Sequence, residues 1–170
     1  MAEIKSTLDL VMEKTKGLRL TKEEKAQTRR EAEAKKAAGL ALRFHDHSLR
    51  PSELRREIEQ APVEAGERFG RLVAVRVVAE MDLGAPDQSL ARQALEACLG
   101  NEADRAWPVV EEAIKDYLAE AARQAAYEGR RILDELAEQG IKGSALRAKP
   151  QARIDQRPFK DRIISELGGQ

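Results

Sequence analysis

The chain has 170 residues and a mass of 18.9 kDa, enough for one ordinary domain with helical extensions and too short for the large multi-layer enzyme folds. Ala, Glu, Lys, Leu and Arg make up about 56 % of it, a bias that accompanies long helices and coiled coils and excludes an all-β fold. Leu, Ile, Val and Phe supply only 37 side chains against 27 alanines, so the interior must be thin, and a formal net charge of zero removes the self-repulsion that keeps highly charged chains expanded.

Taken in chain order, Ile4, Leu8, Val11, Met12 and Thr15 share one helical stripe, and the spacing predicts a first helix over 4–16, ended by Gly17. Thr21-Lys22-Glu23-Glu24 fits a capping box that opens a second helix. Between Lys22 and Lys36 that helix has no large apolar residue, so helix propensity must hold it, and only Ala37, Leu40, Ala41 and Phe44 give it a stripe before Pro51. Pro51 restarts a short helix to about Gln60, with Leu54 and Ile58 facing inward.

Glu64 to Met81 is the densest apolar stretch and the predicted centre of the core. Its four valines between Val73 and Val78 would also suit a strand, but no second stretch exists to pair with it, so helix is the reading. Gly66 and Gly70 lie one turn apart, where a neighbouring helix can approach closely, or where glycine is simply tolerated. Asp87 is placed to cap a helix running to Leu99, ended by Gly100-Asn101. Cys98 lies on that helix's apolar face and reads as a small buried hydrophobe.

Trp107, Val110, Ile114, Tyr117, Leu118, Ala121, Ala125, Ile132 and Leu136 keep helical spacing up to Gln139, and Gly140 follows. Counted from Pro108, whose missing amide costs least in a first turn, this helix spans about 48 Å, more than one small core covers. Ala121, Ala122, Ala125, Ala126 and Gly129 form a small-residue zone at its middle. Beyond Gly140 the pattern dissolves into a basic arm, closed by a short helix with Pro158 near its start and Phe159, Ile163, Ile164 and Leu167 as its stripe. The expected architecture is therefore all-α: an elongated bundle of about five to seven helices with one long helix in its C-terminal half. Residues 1–141 form the bundle, with 22–36 making little core contact, and 142–170 form the arm.

Charge is unevenly spread, at +4 over residues 1–50, −8 over 51–141 and +4 over 142–170, so the ends either fold back on the middle or pair with the middle of another molecule. The stretch 142–162 carries seven basic residues against Asp155 and Asp161, enough to follow a phosphate backbone, although Phe159 is its only aromatic residue for base stacking.

Catalytic motifs are scarce. Phe44-His45-Asp46-His47 holds both histidines, but residues two apart on a helix point about 200° apart and cannot chelate one ion unless the backbone leaves helical geometry there, as it can near Pro51. A histidine pair at a helix C-terminus is explained by favourable interaction with the helix dipole. His45-Asp46 superficially matches the dyad of HD-type phosphohydrolases, which need an upstream histidine that this chain lacks. There is no glycine-rich phosphate loop, paired-cysteine zinc set or dinucleotide fingerprint, and no histidine beyond residue 47 to complete a ferritin-like di-iron pattern. No cofactor and no metal site are expected. No window is apolar enough to span a membrane, and a single cysteine agrees with a reducing cytoplasm.

The opening Met1 to Thr15, the Leu20-Thr21 helix start and the Gly140-Ile141-Lys142-Gly143-Ser144-Ala145 turn resemble a family of uncharacterised bacterial proteins of similar length. The resemblance implies a small cytosolic bacterial protein without assigned activity and carries no site residues. The functional expectation is a non-enzymatic helical interaction or assembly module that forms a homo-oligomer, a dimer first, with a further protein partner as an option. Its candidate partner-binding residues are Trp107, Tyr117, Arg147, Lys149, Arg153, Arg157, Phe159 and Ile163. The alternatives are a nucleic-acid accessory protein using 142–162, and an enzyme whose site is assembled from distant residues in a deep polar pocket.

Overall fold

The structure, a computed structural model, describes residues 21–61, 66–141, 143, 146–148 and 154–168. The expected first helix at 4–16 lies outside the described residues. Six α-helices occur among those described: α1 (Lys22–His45), α2 (Pro51–Glu59), α3 (Gly66–Glu80), α4 (Ser89–Leu99), α5 (Ala103–Glu138) and α6 (Arg157–Gly168), with a 3₁₀ turn at Gly100–Glu102. The described residues contain no strand, so the valines of α3 are helical, as the lack of a pairing partner requires.

Local sequence sets most of the boundaries. The Thr21 hydroxyl accepts from the Glu24 amide at 3.1 Å while the Glu24 carboxylate accepts from the Thr21 amide at 2.7 Å, closing the expected box. Glu53 likewise accepts from the Arg50 amide at 2.8 Å ahead of Pro51. Asp87 accepts from the Ser89 amide at 2.8 Å, but from one residue before the N-cap, which is Gln88. One expectation needs correction: α5 begins at Ala103, so Pro108 lies inside the helix and not in its first turn. Its missing amide leaves the Asp104 carbonyl without its usual partner, and the exposed position of Asp104 lets water supply one.

The chain separates into two compact units, residues 1–36 and 37–170. In the first, the described part is the opening of α1, where residues 21–36 include no buried side chain. Along-helix pairs support it, among them Arg29 with Glu33 at 3.6 Å and Gln27 donating to Glu31 at 3.2 Å.

In the second unit α3 is the centre, as its sequence predicts. It buries Phe69, Val73, Ala74, Val77 and Val78, and packs against α2, α4 and α6, while α4 and α6 in turn pack on α5. The C-terminal half of α1 adds Ala37, Leu40, Ala41 and Phe44, and α2 adds Leu54 and Ile58. Of the two α3 glycines, only Gly70 marks a close approach: a Cβ there would collide with the Cys98 carbonyl oxygen of α4. Gly66 has nothing within 4 Å of the position its Cβ would take. Cys98 itself is buried, and burial pushes its thiol up to about 12, the behaviour of an inert packing residue.

The contrast between the two glycines is testable by thermal melts. Gly70→Ala must push α3 and α4 apart and should cost about 2 kcal/mol, lowering Tm by about 4 to 8 °C. Gly66→Ala, with open space around it, should leave Tm unchanged or slightly raised, and equal melts for the two variants would contradict the close approach.

Candidate functional site

The sequence-selected residues divide according to where α6 lies. This helix docks on α3 and α5 with Ile163 fully buried and Phe159, Ile164 and Leu167 partly buried against the core. The Phe159 ring meets the buried Tyr117 ring edge-on, with centroids 5.6 Å apart at 80°. Tyr117, Phe159 and Ile163 therefore hold α6 to its own chain, and as partner-binding residues Tyr117 and Ile163 need correction, because both are buried there, while Phe159 is partly buried.

Polar contacts fix the same docking. The Gln156 side-chain carbonyl accepts from the Leu83 amide at 3.2 Å, and its NH₂ group donates to Asp82 Oδ1 at 2.6 Å and to the Tyr117 hydroxyl at 3.4 Å. Arg162 bridges Glu112 at 2.8 Å and Asp116 at 3.0 Å on α5. Lys160 donates to the Ala79 carbonyl at 2.9 Å, in the last turn of α3 where a cation also suits the helix dipole. The described residues 154–168 thus fold back on the acidic middle of their own chain. Gln156, Lys160 and Arg162 were not singled out from sequence, because their partners lie 39 to 81 residues away.

Among the other candidates, Arg157 is exposed and paired with Asp155 at 2.8 Å, which holds the Asp155 carboxyl below its ordinary value and raises the guanidinium. Arg147 is exposed. Lys149 and Arg153 lie outside the described residues. Trp107 is half-buried where α5 meets α4; its indole N–H donates to Glu111 at 2.6 Å, and the Arg92 guanidinium stands 5.8 Å from its ring centroid.

Both histidines have structural explanations. His45 Nε2 lies 3.3 Å from the Val77 carbonyl, which can only accept, so that nitrogen carries the proton and caps the end of α3 as well as closing α1. His47 has φ 55°, the left-handed residue that ends α1, with the Ser48 amide donating back to the Arg43 carbonyl at 2.9 Å. The described residues contain no group of three metal-ligating side chains.

A cavity of about 130 Å³ opens between α3, α4, α5 and α6, lined by Arg71, Leu99, Glu102, Arg105, Val109 and Ile163 among others. Arg71 pairs with Glu102 at 3.1 Å across its rim, and none of its lining residues is a nucleophile or a histidine. Displaced carboxylates among the described residues are Asp82, Asp87 and Asp155; all three are lowered, chiefly by hydrogen bonds from Gln156, Ser89 and Arg157 respectively.

The remaining feature is α5. Its 36 residues span about 54 Å, yet its buried side chains, Ala103, Val110, Ala113 and Tyr117, all precede residue 118. Beyond that point Ala121, Ala125, Gly129, Ile132 and Leu136 are half-buried, while Leu118 is 48 % and Tyr127 65 % exposed. Ala119, Ala122 and Ala126 are exposed as well.

The lowered Asp82 carboxyl predicts how α6 docking responds to acid. A carboxylate with a depressed folded-state pKa contributes stability above its unfolded value near 3.9, and loses it as the pH falls through the folded value. The gap in urea midpoint between the native chain and Asp82→Asn should therefore narrow from about pH 5 to about pH 2; a gap independent of pH would contradict the assignment.

No family model matches the chain, and no curated protein or solved structure was found to match it, so the resemblance carried by residues 1–21 and 140–145 rests on the sequence alone.

Proposed function

We propose that this protein is a non-enzymatic helical interaction module that works as a homo-oligomer, a dimer in the simplest case. One observation carries the reading: the second half of α5 has no buried side chain and presents large apolar residues to solvent. Soluble proteins rarely leave such a face without a use, and on a regular helix the common use is another helix. The half-buried stripe from Ala121 to Leu136 and the exposed Leu118 supply the apolar surface, and the small side chains between them permit close approach.

A further observation lends support. Three of the four described basic residues of 142–162, Arg157, Lys160 and Arg162, are bonded within the chain, so a nucleic-acid phosphate would have to compete there with partners already in place. A reducing cytoplasm suits the single buried cysteine, and no helix among the described residues is long and apolar enough to cross a membrane.

Light scattering on the purified full-length chain tests the reading. At tens of micromolar the expected mass is a multiple of 18.9 kDa, falling toward a single chain on dilution. A mass of one chain over the whole range would contradict it.

A further inference from the structure

The cavity between α3, α4, α5 and α6 joins an apolar interior to a mouth of balanced charge. Ile163 is buried and Leu99, Val109 and Leu167 are half-buried, which makes them its inner wall. Glu102, Arg105 and Glu166 are exposed and stand at its opening. Glu102 is taken up by Arg71 at 3.1 Å, whereas the side chains of Arg105 and Glu166 have no ion-pair or hydrogen-bond partner among the described residues.

The opening also lies between helix ends of opposite polarity. Arg105 is in the first turn of α5, beside the positive end of a 36-residue helix. Asp104, the acidic residue of that turn, does not line the cavity. Glu166 is in the last turn of α6, at a negative end that carries no basic residue. Each charge therefore adds to the partial charge of its helix end, the reverse of what helix stability favours, and leaves a positive and a negative pole facing one small space.

We propose that this cavity binds the zwitterion of a small aliphatic α-amino acid of about the size of leucine. The carboxylate meets Arg105 and the α5 N-terminus, the ammonium meets Glu166 and the α6 C-terminus, and the side chain lies against Leu99, Val109 and Leu167. The charged lining of two cations and two anions sums to zero, which matches a ligand with no net charge and a strong dipole. A simple carboxylate would bring a like charge to Glu166, and a simple amine would bring one to Arg105. Size agrees as well: an apolar cavity of about 150 Å³ holds benzene, so about 130 Å³ admits the leucine side chain while its charged groups occupy the mouth. The site lies away from the uncovered half of α5 and does not depend on self-association.

Titration of L-leucine into the full-length protein, read by calorimetry and by amide chemical shifts, tests the site. A Kd of about 1 mM or tighter is expected for a ligand of about nine heavy atoms, with shifts at Leu99, Val109 and Leu167. The analogues that each lack one charge, 4-methylpentanoate and 3-methylbutylamine, should bind about tenfold more weakly or worse, and so should glycine, which lacks the side chain. Arg105→Gln and Glu166→Gln alter exposed positions, so thermal melts should be unchanged while each weakens leucine binding about tenfold. Glu166→Gln should leave the binding of 4-methylpentanoate no weaker than in the native chain. No binding at about 10 mM L-leucine, equal affinity for leucine and either one-charge analogue, or leucine binding undiminished by both variants would overturn the proposal. None of these outcomes bears on the light-scattering mass, so failure here leaves the self-association reading to its own test.

Discussion

The supply of large apolar side chains limits what this molecule can bury. Thirty-seven Leu, Ile, Val and Phe residues cannot fill the space between widely separated helices, so the helices must come close, and alanine and glycine let them. Gly70 against the Cys98 carbonyl is the tightest instance, and Ala74, Ala94 and Ala113 extend the same economy through the core. A core built this way covers α3 well and α5 for only part of its length. The long helix and the thin core are two consequences of one composition.

The C-terminal helix completes the core. Ile163, fully buried, and the Tyr117–Phe159 contact supply the apolar part of its docking, while Gln156, Lys160 and Arg162 set its register through bonds along its first half. Each of these polar groups satisfies something the rest of the fold leaves open: the Leu83 amide, a carbonyl in the last turn of α3, and a pair of carboxylates on α5. His45 adds a second contact to the Val77 carbonyl, which already accepts from the Met81 amide at 3.0 Å. The last turn of α3 thus receives side chains from two distant parts of the sequence, and Arg157, Lys160 and Arg162 are bonded within the chain.

Local features were legible in the sequence. The Thr21–Glu24 box, the restart at Pro51, the helical reading of the α3 valines and the burial of Cys98 all follow from short-range rules, and the structure has each of them. Pro108 misled because its tolerance in first turns also sets a boundary too late when the exposed or small Ala103, Asp104, Arg105 and Ala106 open the same helix. Tyr117 was read on the stripe of the long helix and Phe159 and Ile163 on that of the last one, but periodicity carries no information on whether two such stripes meet within one chain. The role of Gln156 could not be read at all, since a single glutamine in a basic stretch has no pattern until Leu83, Asp82 and Tyr117 are brought around it.

What remains uncovered is the half of α5 beyond Tyr117, and the account stands on a second chain covering it. Amide hydrogen exchange followed as a function of protein concentration reads this directly, because helix pairing slows the local openings that let amides exchange. Protection across residues 118–126 should rise from nanomolar to micromolar protein while that of α3 stays constant. Protection in 118–126 that is the same at every concentration would contradict it.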